Sequence, residues 1–300
     1  MSDVQANTGN TANAYPNAGA DDLFRTGVGN WAACVIPLPQ LLQVTESWRT
    51  VFAGIELPWL CWNVDSDWCL LQQRLVRKVG WTPVVGFDPR VGPPPLAPGA
   101  VLVDFNERFG LPTMYPHFPM EFIFNFCQRL AFWHSDLLVP LPVMQRLADS
   151  FAALRAGEIA AVLNRGGLRK LLKPWAHRYW ELIGCSTAGA SRDQFELGAG
   201  WWYNFVRHPN FRDSATILGQ PYYWDHGTGI MYWARARKAR VHRVPESLVA
   251  AGHFTSIGTK NYQRKSPNTH MRDLSADLRA NFDLARCAEQ MGLTDLLRAG

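Results

Sequence analysis

The apolar and polar positions divide the chain into short runs that alternate in period. Trp31–Pro37 is an apolar run closed by proline, which predicts a buried strand followed by a loop. Over 40–53, Leu41, Leu42, Thr45, Trp48 and Phe52 fall near one face of a helix. Leu57–Val64 predicts a second buried strand ending at Asp65, and 68–79 a helix with Leu71, Leu75 and Val79 spaced by four. Trp81–Phe87 predicts a third strand. Asp88–Gly99, with five prolines and two glycines, predicts a loop. Val101–Phe105 predicts a short strand, Met114–Pro119 irregular chain and Glu121–Phe132 a strongly apolar helix. Phe132 and Trp133 then lead, as a strand, into the polar cluster His134-Ser135-Asp136 and out through Leu137–Pro140.

Downstream, Pro142–Arg155 predicts a helix, Glu158–Leu163 a strand, and Trp180–Thr187 another strand. Phe195–Trp202, with Gly198, Gly200 and the pair Trp201-Trp202, predicts a loop opening a helix. Val241–Val244 predicts a short strand, followed by Gly252-His253-Phe254. Residues 273–297 predict an amphipathic helix on Leu274, Leu278, Phe282, Ala285 and Met291. Strands alternating with helices imply parallel β-α-β units, and such sheets bind ligands at the carboxyl ends of their strands. The expected organisation is a disordered polar tail over 1–24, one catalytic domain over 25–265 and a helical extension over 266–300.

Composition narrows the classes. Of the 300 residues, 47% are hydrophobic, which suffices for one sizeable core. Thirteen tryptophans suggest clefts lined by flat faces beside an aromatic-rich core. The net charge of +5 permits anionic ligands or an anionic membrane surface without demanding them. The basic runs 164–178 and 235–243 suit phosphates or such a surface, or form solvated faces. Six scattered cysteines form no C-x-x-C pair, and they read as reduced core residues of a cytosolic protein. The first 22 residues lack the basic start and apolar segment of a signal peptide, and no apolar run reaches the length of a membrane span. The expected location is cytoplasmic, or peripheral on the inner face of the membrane.

Two strand ends carry the candidate chemistry. Asp65-Ser66-Asp67 places two carboxylates one residue apart after an apolar run, the pattern of a cation–diphosphate site or of a helix cap. His134 and Asp136 share the same i, i+2 relation. The competing reading of Asp136 is a cap for the helix beginning near Pro142.

A strand ending Val35-Ile36-Pro37, a helix, and a strand ending Val64-Asp65 with Asp67 close by resembles the opening of a family-2-type glycosyltransferase with the GT-A fold. The resemblance covers about residues 30–260. It implies a Rossmann-type, mixed but mainly parallel sheet flanked by helices, and a sugar transferred from a nucleotide diphosphate sugar to a glycan or lipid-linked hydroxyl, with inversion. It places Pro37, Asp65, Asp67 and Ser135 against the nucleotide. The family's D-x-D metal motif falls at His134-Ser135-Asp136, with His in place of the first Asp. A late histidine of the family matches His253. The implied cofactor is Mn²⁺ or Mg²⁺ on Asp136, His253 and His134, and imidazole with carboxylate suits Mn²⁺ better.

The family's acceptor-side acidic pair is replaced by Trp201-Trp202, read as an aromatic wall for the acceptor or as core packing in equal measure. Asp225 is then the first choice of general base, with Glu196 and Asp193 behind it. The competing reading of Asp225 is a turn residue before Gly227. Two other classes stay open: a metal-dependent hydrolase, and a non-catalytic carbohydrate- or nucleotide-binding protein. The modest charge and the lack of zinc or helix-turn-helix signals argue against a nucleic-acid partner.

Overall fold

The computed structural model describes residues 23–25, 35–87, 91–105, 117–164, 178–197, 199–201, 227–254 and 282–299. Strands β1 (Leu23–Arg25) and β2 (Val35–Pro37) form a small antiparallel sheet. Helices α1 (Leu38–Ser47) and α2 (Arg49–Phe52) follow. The main sheet then opens with β3 (Pro58–Asn63), α3 (Ser66–Lys78), β4 (Thr82–Phe87) and β5 (Val101–Leu102). Two short helices, α4 (His117–Glu121) and α5 (Ile123–Phe126), precede β6 (Arg129–Trp133) and α6 (Leu141–Ala152). The chain continues through β7 (Ile159–Asn164), β8 (Arg178–Thr187), α7 (Ala188–Leu197), α8 (Thr228–Ala236) and β9 (Val241–Val244). Two helices, α9 (Leu284–Gln290) and α10 (Thr294–Arg298), lie near the carboxyl terminus.

The seven strands are ordered β5-β4-β3-β6-β8-β7-β9, and every pairing is parallel except the two made by β8. The mixed, mainly parallel α/β sheet that the alternation predicts is therefore present, flanked by helices. Strand periodicity sorts the core into two layers. Trp59 and Cys61 of β3, Val85 of β4, and Ala131 and Trp133 of β6 face one cluster with Leu71, Leu75, Met144 and Phe151. Leu60, Trp62, Val84, Leu130 and Phe132 face the other, with Phe52, Ile123 and Ile230. A sheet buried on both faces explains why its strands read as unbroken apolar runs. Cys287, Ala288, Met291 and Leu293 belong to the first cluster, so the carboxyl-terminal helices pack into the same core.

The strand order places the crevice. From β3 the chain moves outward through β4 to β5, then returns to the opposite flank of β3 as β6. Connections that leave neighbouring parallel strands in opposite directions open a crevice at their carboxyl ends. Here those ends are Asn63 of β3 and Trp133 of β6.

Five expectations are corrected. Val35–Pro37 is a strand, but it pairs with Leu23–Arg25 and not with the main sheet, so Pro37 does not end a strand at the crevice. The apolar run from Glu121 is not one helix: it turns at Cys127 and becomes β6, because a continuous apolar run fits a buried strand as well as a helix. Of the loop expected over 195–202, Phe195–Leu197 instead end α7, whose Ala190, Gln194 and Leu197 are buried, while 199–201 are non-helical. Of the helix expected over 273–297, the part from 282 on holds two helices, broken at Gly292 with φ of 68°, and 273–281 lie outside the described residues. Leu23 and Phe24 pair in a strand, which ends the predicted tail two residues earlier; residues 1–22 lie outside the described residues.

Candidate metal centre

At the end of β3 the chain turns sharply into α3. Asp65 is the N-cap: its Oδ1 accepts the backbone N–H of Asp67 at 3.2 Å and of Trp68 at 3.3 Å. This satisfies donors that the first helical turn leaves open. Asp65 is buried, while Asp67 is exposed in the first turn. The two carboxylates therefore do not converge as they would on an extended strand. One holds the amide of the other's residue. Asn63 is buried, and its Nδ2 donates to the Gly92 carbonyl, tying the strand end to the proline-rich segment.

At the end of β6 the backbone leaves the sheet at His134, whose N–H donates to the Leu182 carbonyl of β8 at 2.9 Å. The Gln72 Nε2 of α3 donates to the carbonyls of both His134 and Leu137, each at 2.9 Å, which fixes the turn. The returning segment docks on it: Leu138 N–H donates to Gly252 and Phe254 N–H to Asp136, and Leu137 bridges His253 antiparallel. Gly252 is required there, because a Cβ at that position would overlap the Leu138 carbonyl. The structure thus joins His253 to a turn more than a hundred residues earlier.

Three side chains converge. His134 Nδ1 lies 3.2 Å from His253 Nε2 and 3.7 Å from Asp136 Oδ1, and His253 Nε2 lies 3.3 Å from the same Asp136 oxygen. Their ligand atoms all lie within 4.8 Å of one another, a grouping that could hold a metal ion. The circle through these three atoms has a radius of about 2.0 Å, close to the bond length of about 2.0–2.2 Å for nitrogen and oxygen donors on a divalent transition metal. Asp136 and His253 are buried, and His134 is a quarter exposed at 25%. The site thus has closed walls and one open side.

Sequence reasoning missed the surroundings of this triangle. Glu181 of β8 is buried, and its Oε1 lies 3.5 Å from the far nitrogen of His134, Nε2. Trp180 lies edge-on to both imidazoles, at 5.3 Å from His253 and 6.2 Å from His134. A signal was present: Glu181 is the one charged residue in the apolar run Tyr179–Ile183.

The other predicted residues distribute unevenly. Ser135 is buried within the turn between His134 and Asp136. Trp201 is fully buried, 4.9 Å edge-on to Phe132, so its ring packs in the core and presents no open wall to an acceptor. Glu196 is exposed on α7. Asp193 accepts from Trp233 Nε1 at 2.7 Å and pairs with Arg237 at 2.9 Å, a bridge between α7 and α8. Trp202, Asp225 and the basic segment 165–177 lie outside the described residues. Among the described residues no helix is long and apolar enough to cross a membrane.

No family model, curated protein or solved structure matches the chain.

Proposed function

We propose that the chain is a metal-dependent glycosyltransferase that moves a sugar from a nucleotide diphosphate sugar to a glycan or lipid-linked hydroxyl. The observation that carries this reading is the convergence of His134, Asp136 and His253 at a topological switch point, one strand away from Asp65. The resemblance to family-2-type glycosyltransferases supports it, since that family places a cation at one strand end and the nucleotide at another. The opening of the resemblance moves one strand along: Asp65 follows the first strand of the main sheet.

His134, Asp136 and His253 would hold the cation, which when bound neutralises the charge that develops on the leaving diphosphate. Two imidazoles and a carboxylate favour Mn²⁺ over Mg²⁺. Asp65, capping α3 at the end of β3, is the proposed contact for base or ribose. Trp180 supplies an apolar rim beside the imidazoles, which limits water around the reacting centre. Asp225 is the proposed base for the acceptor hydroxyl, with Glu196 second. The basic segments 164–178 and 235–243 are the proposed contacts with anionic lipid.

A metal-dependent hydrolase is the second reading, because two histidines and one carboxylate also make an open catalytic site. Nucleotide binding separates the two. In a thermal-shift series of nucleoside diphosphates with and without Mn²⁺, the transferase reading expects stabilisation that needs both. It fails if no nucleotide stabilises the protein in either condition. Asp136→Ala should abolish the metal-dependent part of the shift.

A further inference from the structure

Glu181 stands where a strand is made irregular. Strand β7 pairs with β8 in two registers: Ala161 faces Gly184, but the next residue, Val162, faces Trp180. Glu181, Leu182 and Ile183 are thus extra residues relative to β7. On the other side β8 stays in register with β6, Ile183 against Trp133, and Leu182 receives the His134 N–H. Bulges of this kind re-aim side chains and recur beside functional sites. The outcome here is a buried carboxylate directed at the back of the His134 ring, 3.5 Å from Nε2, while Nδ1 faces Asp136 and His253.

We propose that Glu181 is a positioning residue for the metal centre. Its carboxylate accepts the Nε2 proton of His134 and so keeps the Nδ1 lone pair facing the triangle formed with Asp136 and His253. This inference rests on the metal-centre reading of those three residues. Its chemistry is general: a ligating imidazole commonly gives its second N–H to a carboxylate, which fixes the tautomer and strengthens the ligand. The proton assignments are consistent. With the His134 proton on Nε2, the 3.2 Å contact between the rings is made by His253 Nε2–H donating to His134 Nδ1. Only His253 then has to change tautomer when a cation enters.

The test uses the full chain and Mn²⁺ alone, without nucleotide or acceptor. Isothermal titration of the wild type and of Glu181→Gln, with melting curves as a check on folding, should show a loss of Mn²⁺ affinity of about 10–100-fold in the variant. Glu181→Asp should recover part of it. Equal affinity in wild type and Glu181→Gln overturns the proposal while leaving the metal centre intact. Failure of the wild type to bind Mn²⁺, Co²⁺ or Zn²⁺ overturns the metal reading, and Glu181 with it. A long-range ¹H–¹⁵N spectrum of the metal-free wild type decides the point even if the variants do not fold. A proton on His134 Nε2 supports the assignment, and a proton on Nδ1 refutes it.

Discussion

His134 Nδ1 and His253 Nε2 lie 3.2 Å apart, although 119 residues of chain separate them. Two imidazoles this close, both within 3.7 Å of the same Asp136 oxygen, could hold a cation only as one unit. His134→Ala and His253→Ala should each weaken Mn²⁺ binding by more than about 100-fold, beyond the range of a supporting residue. Calorimetry of the double variant should find little further loss, because neighbouring ligands of one site are not additive. Additive losses would place the two histidines in separate sites.

Gly252 lets the two histidine segments meet. Gly252→Ala forces its Cβ into the Leu138 carbonyl, against backbone that cannot give way cheaply. Denaturant unfolding should show a loss of about 1–3 kcal/mol. Mn²⁺ affinity should fall in parallel, because His253 follows directly in the chain.

The cap role of Asp65 is separable from a nucleotide role. Serine caps nearly as well as aspartate, and alanine does not, so Asp65→Ala should cost about 1 kcal/mol of stability and Asp65→Ser much less. If the carboxylate also holds the nucleotide, both variants should weaken nucleotide binding alike. A weakening that tracks stability alone would leave Asp65 with only the cap.

Away from the site, Glu158 accepts the Arg155 backbone N–H and faces His242 at 2.9 Å and Arg240 at 3.3 Å. The backbone hydrogen bond first, and then these neighbours, hold its carboxyl below the ordinary value of 4.5. A lowered folded pKa stabilises the fold above the unfolded value, and this contribution is lost as pH falls through the folded one. Glu158→Gln should therefore flatten the acid limb of the stability–pH curve below 4.5.

The buried thiols give a chemical check on the core. Burial pushes Cys69 and Cys185 up to about 12, and raises Cys61 and Cys127 well above the ordinary value. Thiolate is the reactive form. Alkylation of the native protein at pH 8, read by peptide mass mapping, should spare the buried Cys61, Cys69 and Cys185 and modify them only in denaturant. Rapid labelling of any one would show that its layer of the core opens.

The alternation of strands and helices, and with it the mixed, mainly parallel sheet, was legible along the chain. Buried strands need unbroken apolar runs, and amphipathic helices need a period near 3.6, so both patterns are written along the chain. The sequence also singled out His134 and Asp136, through polar residues set at the end of an apolar run, whereas His253 came from the resemblance to the glycosyltransferase family. Glu121–Phe132 resisted reading, because a short apolar run does not distinguish a buried strand from a helix. Pro37 was misplaced because a strand's own residues do not say which sheet it joins. Three relations emerge only in the folded chain: β6 returns to the flank of β3, Gly252 brings His253 onto the His134 turn, and an irregular β8 turns Glu181 toward His134. These relations link residues distant in sequence, and what sets them is packing and backbone pairing between elements, which no local pattern records.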